Sequence, residues 1–111
     1  MTHRALEGKI MKRALLILAA STAVTMPVLA TEAMARANNC MACHAIDRKM
    51  VGPSFRDISA RYAGDNEAVA RMATKIQRGG SGSWGAIPMP ANPRVSDADA
   101  RALAEWSLSF R

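Results

Sequence analysis

In this 111-residue chain the stretch whose side chains and spacing can do chemistry is Cys40-Met41-Ala42-Cys43-His44. Two thiols separated by two residues and followed at once by an imidazole form the attachment signature of a c-type haem. The spacing has a physical basis. Each thiol can add to one vinyl group of the same porphyrin, and the next residue then lies under the ring with a nitrogen available to the iron. CxxC also serves zinc sites and dithiol redox centres. A structural zinc site takes four ligands, yet Cys40 and Cys43 are the only cysteines and no second CxxC or spaced His pair accompanies them. A thioredoxin-like centre sits in a βαβ setting, and nothing along this chain alternates that way.

His44 is therefore the candidate proximal ligand. The other histidine, His3, lies in a segment read below as removed, which rules out two histidine ligands from one protomer. The sixth position then falls to a methionine, a lysine, a weak ligand or none. Five methionines follow residue 30. Met34 and Met72 stand at helical spacing and read as core filler. Met41 lies inside the cysteine loop, too close to reach the opposite face, and Met50 follows His44 closely enough to read as packing. Met89 differs, because Pro88 and Pro90 flank it, fixing φ and removing backbone donors. A thioether on so stiff a loop is the candidate sixth ligand. Opposite imidazole, it favours the ferrous state and raises the potential of the couple.

These residues need a scaffold, and the chain supplies a small one. Residues 11–30 read as a secretory signal: Lys12-Arg13 is basic, Ala14 to Val24 is apolar, Pro27 breaks the run, and Val28-Leu29-Ala30 offers a cleavage site. Cleavage is expected after Ala30, with Ala33 or Ala35 as later alternatives. An apolar run this short, ended by proline, favours removal over a retained membrane anchor. Residues 1–10 are polar and contain Glu7, so Met11 reads as the true start. Export suits the motif, since thioether attachment takes place outside the cytoplasm. The formal charge of +6 divides evenly: four basic side chains against Glu7 in 1–30, eleven against eight acidic ones in 31–111. Two haem propionates would bring the remainder close to neutral, so charge gives no support to nucleic-acid binding. About eighty residues make a thin core, of the kind that usually needs a staple, and a covalently held porphyrin would be one.

Residues 31–111 read as one all-α domain. A short helix, Glu32 to Asn39, is expected to deliver Cys40, with Met34 and Ala35 facing inward. Gly52-Pro53 closes the following loop as a turn. Ser54-x-x-Asp57 opens a helix that puts Phe55, Ile58 and Tyr62 on one face. A clearer helix runs from about Glu67 to Arg78 with Val69, Met72, Ala73 and Ile76 as its stripe. The glycines from Gly79 to Gly82 are expected to act as a flexible hinge into the Trp84–Pro90 loop. Ser96-x-x-Asp99 starts the last helix, Asp97 to about Ser109, with Leu103, Trp106 and Phe110 on one side.

Taken together, several motifs resemble those of the small bacterial class I monohaem cytochromes c, the short type serving terminal oxidases and periplasmic nitrite reductase. They are Cys40 to Asp47, Lys49 to Pro53, Gly79 to Gly82 with Trp84 to Pro90, and Ala104-Glu105-Trp106, so the likeness spans about 32–111. It implies a cytochrome c fold of about four short helices around one haem c held by two thioethers. It further implies that the Pro53 carbonyl accepts from the second nitrogen of His44, and that Trp84 donates to a haem propionate with Lys75 nearby. Asn92 would donate toward the Met89 sulfur, and Trp106 would pack between the last helix and the first. The function implied is that of a soluble, monomeric periplasmic one-electron carrier, not an enzyme. Its redox partners would be donors such as a quinol–cytochrome c reductase and acceptors such as a terminal oxidase or nitrite reductase. Two other functions compete: a haem enzyme or gas sensor with a labile sixth ligand, and a membrane-anchored oxidase subunit.

Overall fold

The computed structural model describes residues 19–24, 26 and 29–111. Most of the signal segment read over 11–30, and all of residues 1–10, thus lies outside the described residues. Among the described residues there are four α-helices: α1 (Glu32–Ala37), α2 (Phe55–Arg61), α3 (Ala68–Arg78) and α4 (Asp97–Ser107), with a 3-10 turn at Cys40–Ala42. The one β-type pairing among the described residues is an isolated antiparallel bridge between Gly80 and Met89.

Capping chemistry accounts for where each helix begins. Helix α1 starts at Thr31, whose hydroxyl accepts from the Met34 amide at 3.3 Å. Ser54 and Ser96 do the same for α2 and α4, each accepting at 3.1 Å from the amide of the Asp three residues on. Helix α3 begins at Ala68 rather than Glu67, because the Asp65 carboxylate accepts the Glu67 amide at 2.9 Å and holds that residue in the entry turn. The ends also fall short of expectation in two places. Asn39 takes a left-handed φ of 60° and stops α1 at Ala37. At the other end, the Ser109 hydroxyl donates to the Trp106 carbonyl at 2.7 Å, and α4 ends at Ser107.

The core is built from small and branched side chains: Ala35 of α1, Ile76 of α3, Val95, and Ala100, Leu103 and Ala104 of α4. Alanine at 100 and 104 lets α3 and α4 approach closely, and these two helices form the principal helix pair. Val69, Met72 and Ala73 pack against that cluster while remaining half-buried. Helix α2 joins through aromatic contacts. Phe55 meets Trp106 edge-on at 4.8 Å and stacks with Phe110 at 5.7 Å. Through its ring contacts Trp106 joins α2 and the chain beyond α4, and it also packs against the core cluster that includes Ala35 of α1. Ser59, buried on α2, donates to the Ser107 carbonyl and accepts from the Phe110 amide, both at 3.0 Å. This single hydroxyl ties α2 to the end of α4.

Candidate functional site

The 3-10 turn fixes the cysteine motif by short-range bonds. The Cys43 and His44 amides both reach the Cys40 carbonyl, at 3.2 and 3.0 Å. The loop that follows folds back on the motif: Gly52 N–H donates to the Cys43 carbonyl at 2.8 Å and Phe55 N–H to that of Ala45 at 3.0 Å. An Arg56–Asp47 ion pair spans the same loop. His44 Nδ1 then lies 2.7 Å from the Pro53 carbonyl oxygen. A carbonyl can only accept, so Nδ1 carries a proton, and in the neutral ring that leaves the Nε2 lone pair for a metal. Phe55 packs against the imidazole with ring centres 5.3 Å apart.

Gly52 makes that imidazole position available. A Cβ there would stand 2.5 Å from His44 Cε1 and 2.9 Å from Nδ1, closer than side chains approach. Sequence reasoning took Gly52 as a turn residue. Its position next to Pro53, whose carbonyl orients the ring, was the one available hint. Cys40 is half-buried, and burial pushes its thiol above the ordinary value, with Cys43 adding to the rise. A dithiol redox centre works with a lowered thiol. Among the described residues no third His, Cys, Asp or Glu joins the pair in a cluster able to hold a metal ion.

Met89 reaches the same region from far along the chain. Its amide donates to the Gly80 carbonyl at 2.8 Å and its carbonyl accepts from Gly80 at 3.0 Å. Gly79, at φ 69°, leaves the room this requires, since a Cβ would stand 2.5 Å from the Met89 oxygen. The glycines at 79 and 80 thus pin the methionine loop, where a hinge was expected. Cys40, Cys43, His44 and Met89 line one cleft of about 1240 Å³, walled by apolar side chains including Val51, Ile58, Met72, Ile87 and Leu103.

The family profile described as Cytochrome c matches residues 29–109. This chain belongs to the cytochrome c family. It is 53% identical over 78 residues to cytochrome c-552 of Nitrosomonas europaea, a match covering 70% of this chain and 76% of that one. Against cytochrome c-551 of Azotobacter vinelandii it is 51% identical over 80 residues, covering 72% and 96%. The crystal structure of wild-type Nitrosomonas europaea cytochrome c552 superposes with a TM-score of 0.70 at 51% identity, covering 73% of this chain and all of that one. As a cytochrome c the chain carries covalently bound haem c with iron and transfers electrons to and from redox partners; it is not an enzyme.

The residues present fit that cofactor. Two thiols, an imidazole with a free Nε2, a glycine cradle behind the ring and a thioether share one largely apolar cleft. Of the remaining site residues named from the cytochrome c resemblance, Lys75 and Trp84 line the cleft and Asn92 does not. Lys75 lines the cleft and folds across Gly80, its Nζ 3.2 Å from where a Cβ would be. Trp84 is 41% exposed on the cleft loop, with Tyr62 edge-on to it at 6.5 Å. Asn92 behaves differently from expectation. Its Nδ2 donates to the carbonyls of Ile76 (3.1 Å) and Pro90 (3.4 Å), and the Met89 sulfur is not among its partners. Its amide also donates to Ile76 and Gln77, both at 3.1 Å. The carbonyls at the end of α3 lack helical partners and take these donors. Arg61 was missed altogether. Its guanidinium lies over the Trp84 ring at 4.4 Å, a contact between α2 and a distant loop that leaves no local mark in the sequence.

Proposed function

We propose that this cytochrome c is a soluble periplasmic one-electron carrier whose iron His44 and Met89 would hold. The observation that carries the proposal is the convergence of the Cys40–His44 motif and the bridged Met89 on one cleft. When bound, the haem supplies a one-electron Fe(III)/Fe(II) couple. The chain's own residues do the rest. Pro53 holds His44 in the Nδ1–H form and raises the donor strength of Nε2. The Gly80 bridge fixes the backbone on both sides of the Met89 side chain. Trp84 and Lys75, both lining the cleft, would offer an indole N–H and an ammonium to the propionates. Holding both side chains on restrained backbone would limit rearrangement when the charge changes.

The carrier leaves the cytoplasm on a signal that is removed after Ala30. Val24, Met26 and Leu29, at 83, 80 and 77% exposed, contribute nothing to the core, which supports the domain standing without them. No helix among the described residues is long and apolar enough to cross a membrane. Docking is weak and transient, by a monomer, on the classes of reductase and oxidase named above. Four arginines, Arg36, Arg56, Arg71 and Arg101, are paired with carboxylates. Arg48, Lys49, Lys75 and Arg78 have no such partner among the described residues and supply a basic rim toward acidic surfaces.

The visible spectrum of the dithionite-reduced protein, taken with and without carbon monoxide at neutral pH, tests the ligand set. An unchanged c-type spectrum is expected for the native chain and a rapid Soret shift for Met89→Ala. A shift in the native protein would remove Met89 from the ligand set.

A further inference from the structure

Every residue from Ser81 to Pro88 is exposed, so burial does not hold this stretch in place. Gly82 and Gly85 both have positive φ, and the Gly82 amide donates across the turn to the Gly85 carbonyl at 2.8 Å. The stretch nonetheless carries Trp84 and leads directly into Met89. A contact from outside reaches it through Arg61, the last residue of α2. The guanidinium lies 4.4 Å from the centre of the Trp84 ring and 5.7 Å from that of Tyr62. Its Nη1 also donates to the Ser83 carbonyl. No carboxylate pairs with Arg61 among the described residues, so the indole face and this carbonyl are its partners.

We propose that Arg61 is a positioning residue for the haem cleft, holding Trp84, and with it the loop leading to Met89, against α2. The inference rests on the reading of Trp84 and Met89 as cleft residues. A planar guanidinium can stack on an aromatic face while donating from its edge, which an ammonium cannot do from one position. Arg61 therefore restrains the loop twice, once through the Trp84 side chain and once through the Ser83 backbone. A cation over the π face also draws electron density from the indole, making its N–H a stronger donor toward an anionic group in the cleft. Removing the guanidinium frees the loop without opening the α3–α4 core, since neither contact involves those helices.

Hydrogen exchange on the ferrous holoprotein, followed by NMR for the wild type, Arg61→Ala and Arg61→Lys, tests this. In Arg61→Ala the Trp84 indole N–H and the Gly82 amide should exchange about tenfold faster, the size expected from one exposed cation–π contact plus one hydrogen bond. The Ile76 and Leu103 amides should keep their wild-type rates, and Arg61→Lys should recover less than half of the lost protection. Unchanged rates at Trp84 and Gly82 would overturn the proposal. Equal acceleration at Ile76 and Leu103 would also overturn it, because it marks general destabilisation. The ring-current-shifted methyl signal of an iron-bound methionine, sought in the wild type, judges the Met89 reading separately. Its absence would sink that reading while the exchange comparison still decides the role of Arg61.

Discussion

Replacing Gly52 with alanine isolates the link between the backbone and the His44 imidazole. The new Cβ would stand 2.5 Å from His44 Cε1, 2.9 Å from Nδ1 and 3.1 Å from Nε2, against an ordinary contact that begins at 3.4 Å. Relief requires the ring or the 52–53 backbone to move by close to 1 Å, the gap between those two values. The Nδ1···Pro53 distance of 2.7 Å cannot absorb such a shift; it would pass the roughly 3.2 Å limit of a sound N–H···O bond. Overpacking of this kind costs about 1–3 kcal/mol. Losing the carbonyl partner also weakens the electron donation of Nε2, so the midpoint potential should rise. Denaturant unfolding of the holoprotein and a redox titration measure the two effects. Gly64→Asn serves as the control, since nothing lies within 4 Å of that Cβ and asparagine tolerates its φ of 77°. Wild-type stability and potential in Gly52→Ala would refute the argument that the glycine is there for the imidazole.

Two further outcomes follow from the surrounding contacts. Ser59→Ala leaves the Ser107 carbonyl and the Phe110 amide without their partner, and denaturant unfolding should show a loss of about 1–3 kcal/mol. The Phe110 amide should lose exchange protection at the same time. The Glu67 amide, and after it Arg71, hold the exposed Asp65 carboxyl below its ordinary value of 3.8. A carboxylate with a depressed folded value stabilises fully above the unfolded value, and that contribution disappears as pH falls through the folded one. Asp65→Asn should therefore be less stable than wild type at neutral pH, with the difference shrinking in thermal melts taken below about pH 4.

What could be read in the sequence was what depends on near neighbours. The Ser54 and Ser96 caps and the starts of the helices they open are set within a few residues, and each stands where its motif put it. Pro53 lies nine positions from His44, and the resemblance was needed to connect the two. The Asn39 stop, the Ser59 bridge and the Arg61 stack escaped, since no period or spacing announces a left-handed asparagine, a buried hydroxyl or a guanidinium over a distant ring. The glycine run from Gly79 was misread for a related reason. Glycine marks either freedom or close approach, and only the position of Met89 against Gly79 decides between them.

The His44 and Met89 sides of the cleft consequently differ in how they are held. The His44 side closes within one segment, through the Cys43–Gly52, Ala45–Phe55 and Asp47–Arg56 contacts, and Phe55 carries it into the aromatic cluster. On the Met89 side the loop from Ser81 to Pro88 is exposed, and the attachments are the packing of half-buried Met89 against the core, the Gly80 bridge, the Asn92 bonds to the end of α3 and the Arg61 contacts. Segments with little burial and few outside bonds open at lower free energy than core elements. Partial unfolding should therefore release Met89 while His44 stays in place, because each Met89 tether joins the loop to another part of the chain whereas the His44 loop is bonded to itself. The fold keeps the attachment side as its fixed half and leaves the methionine side as the half that gives way first.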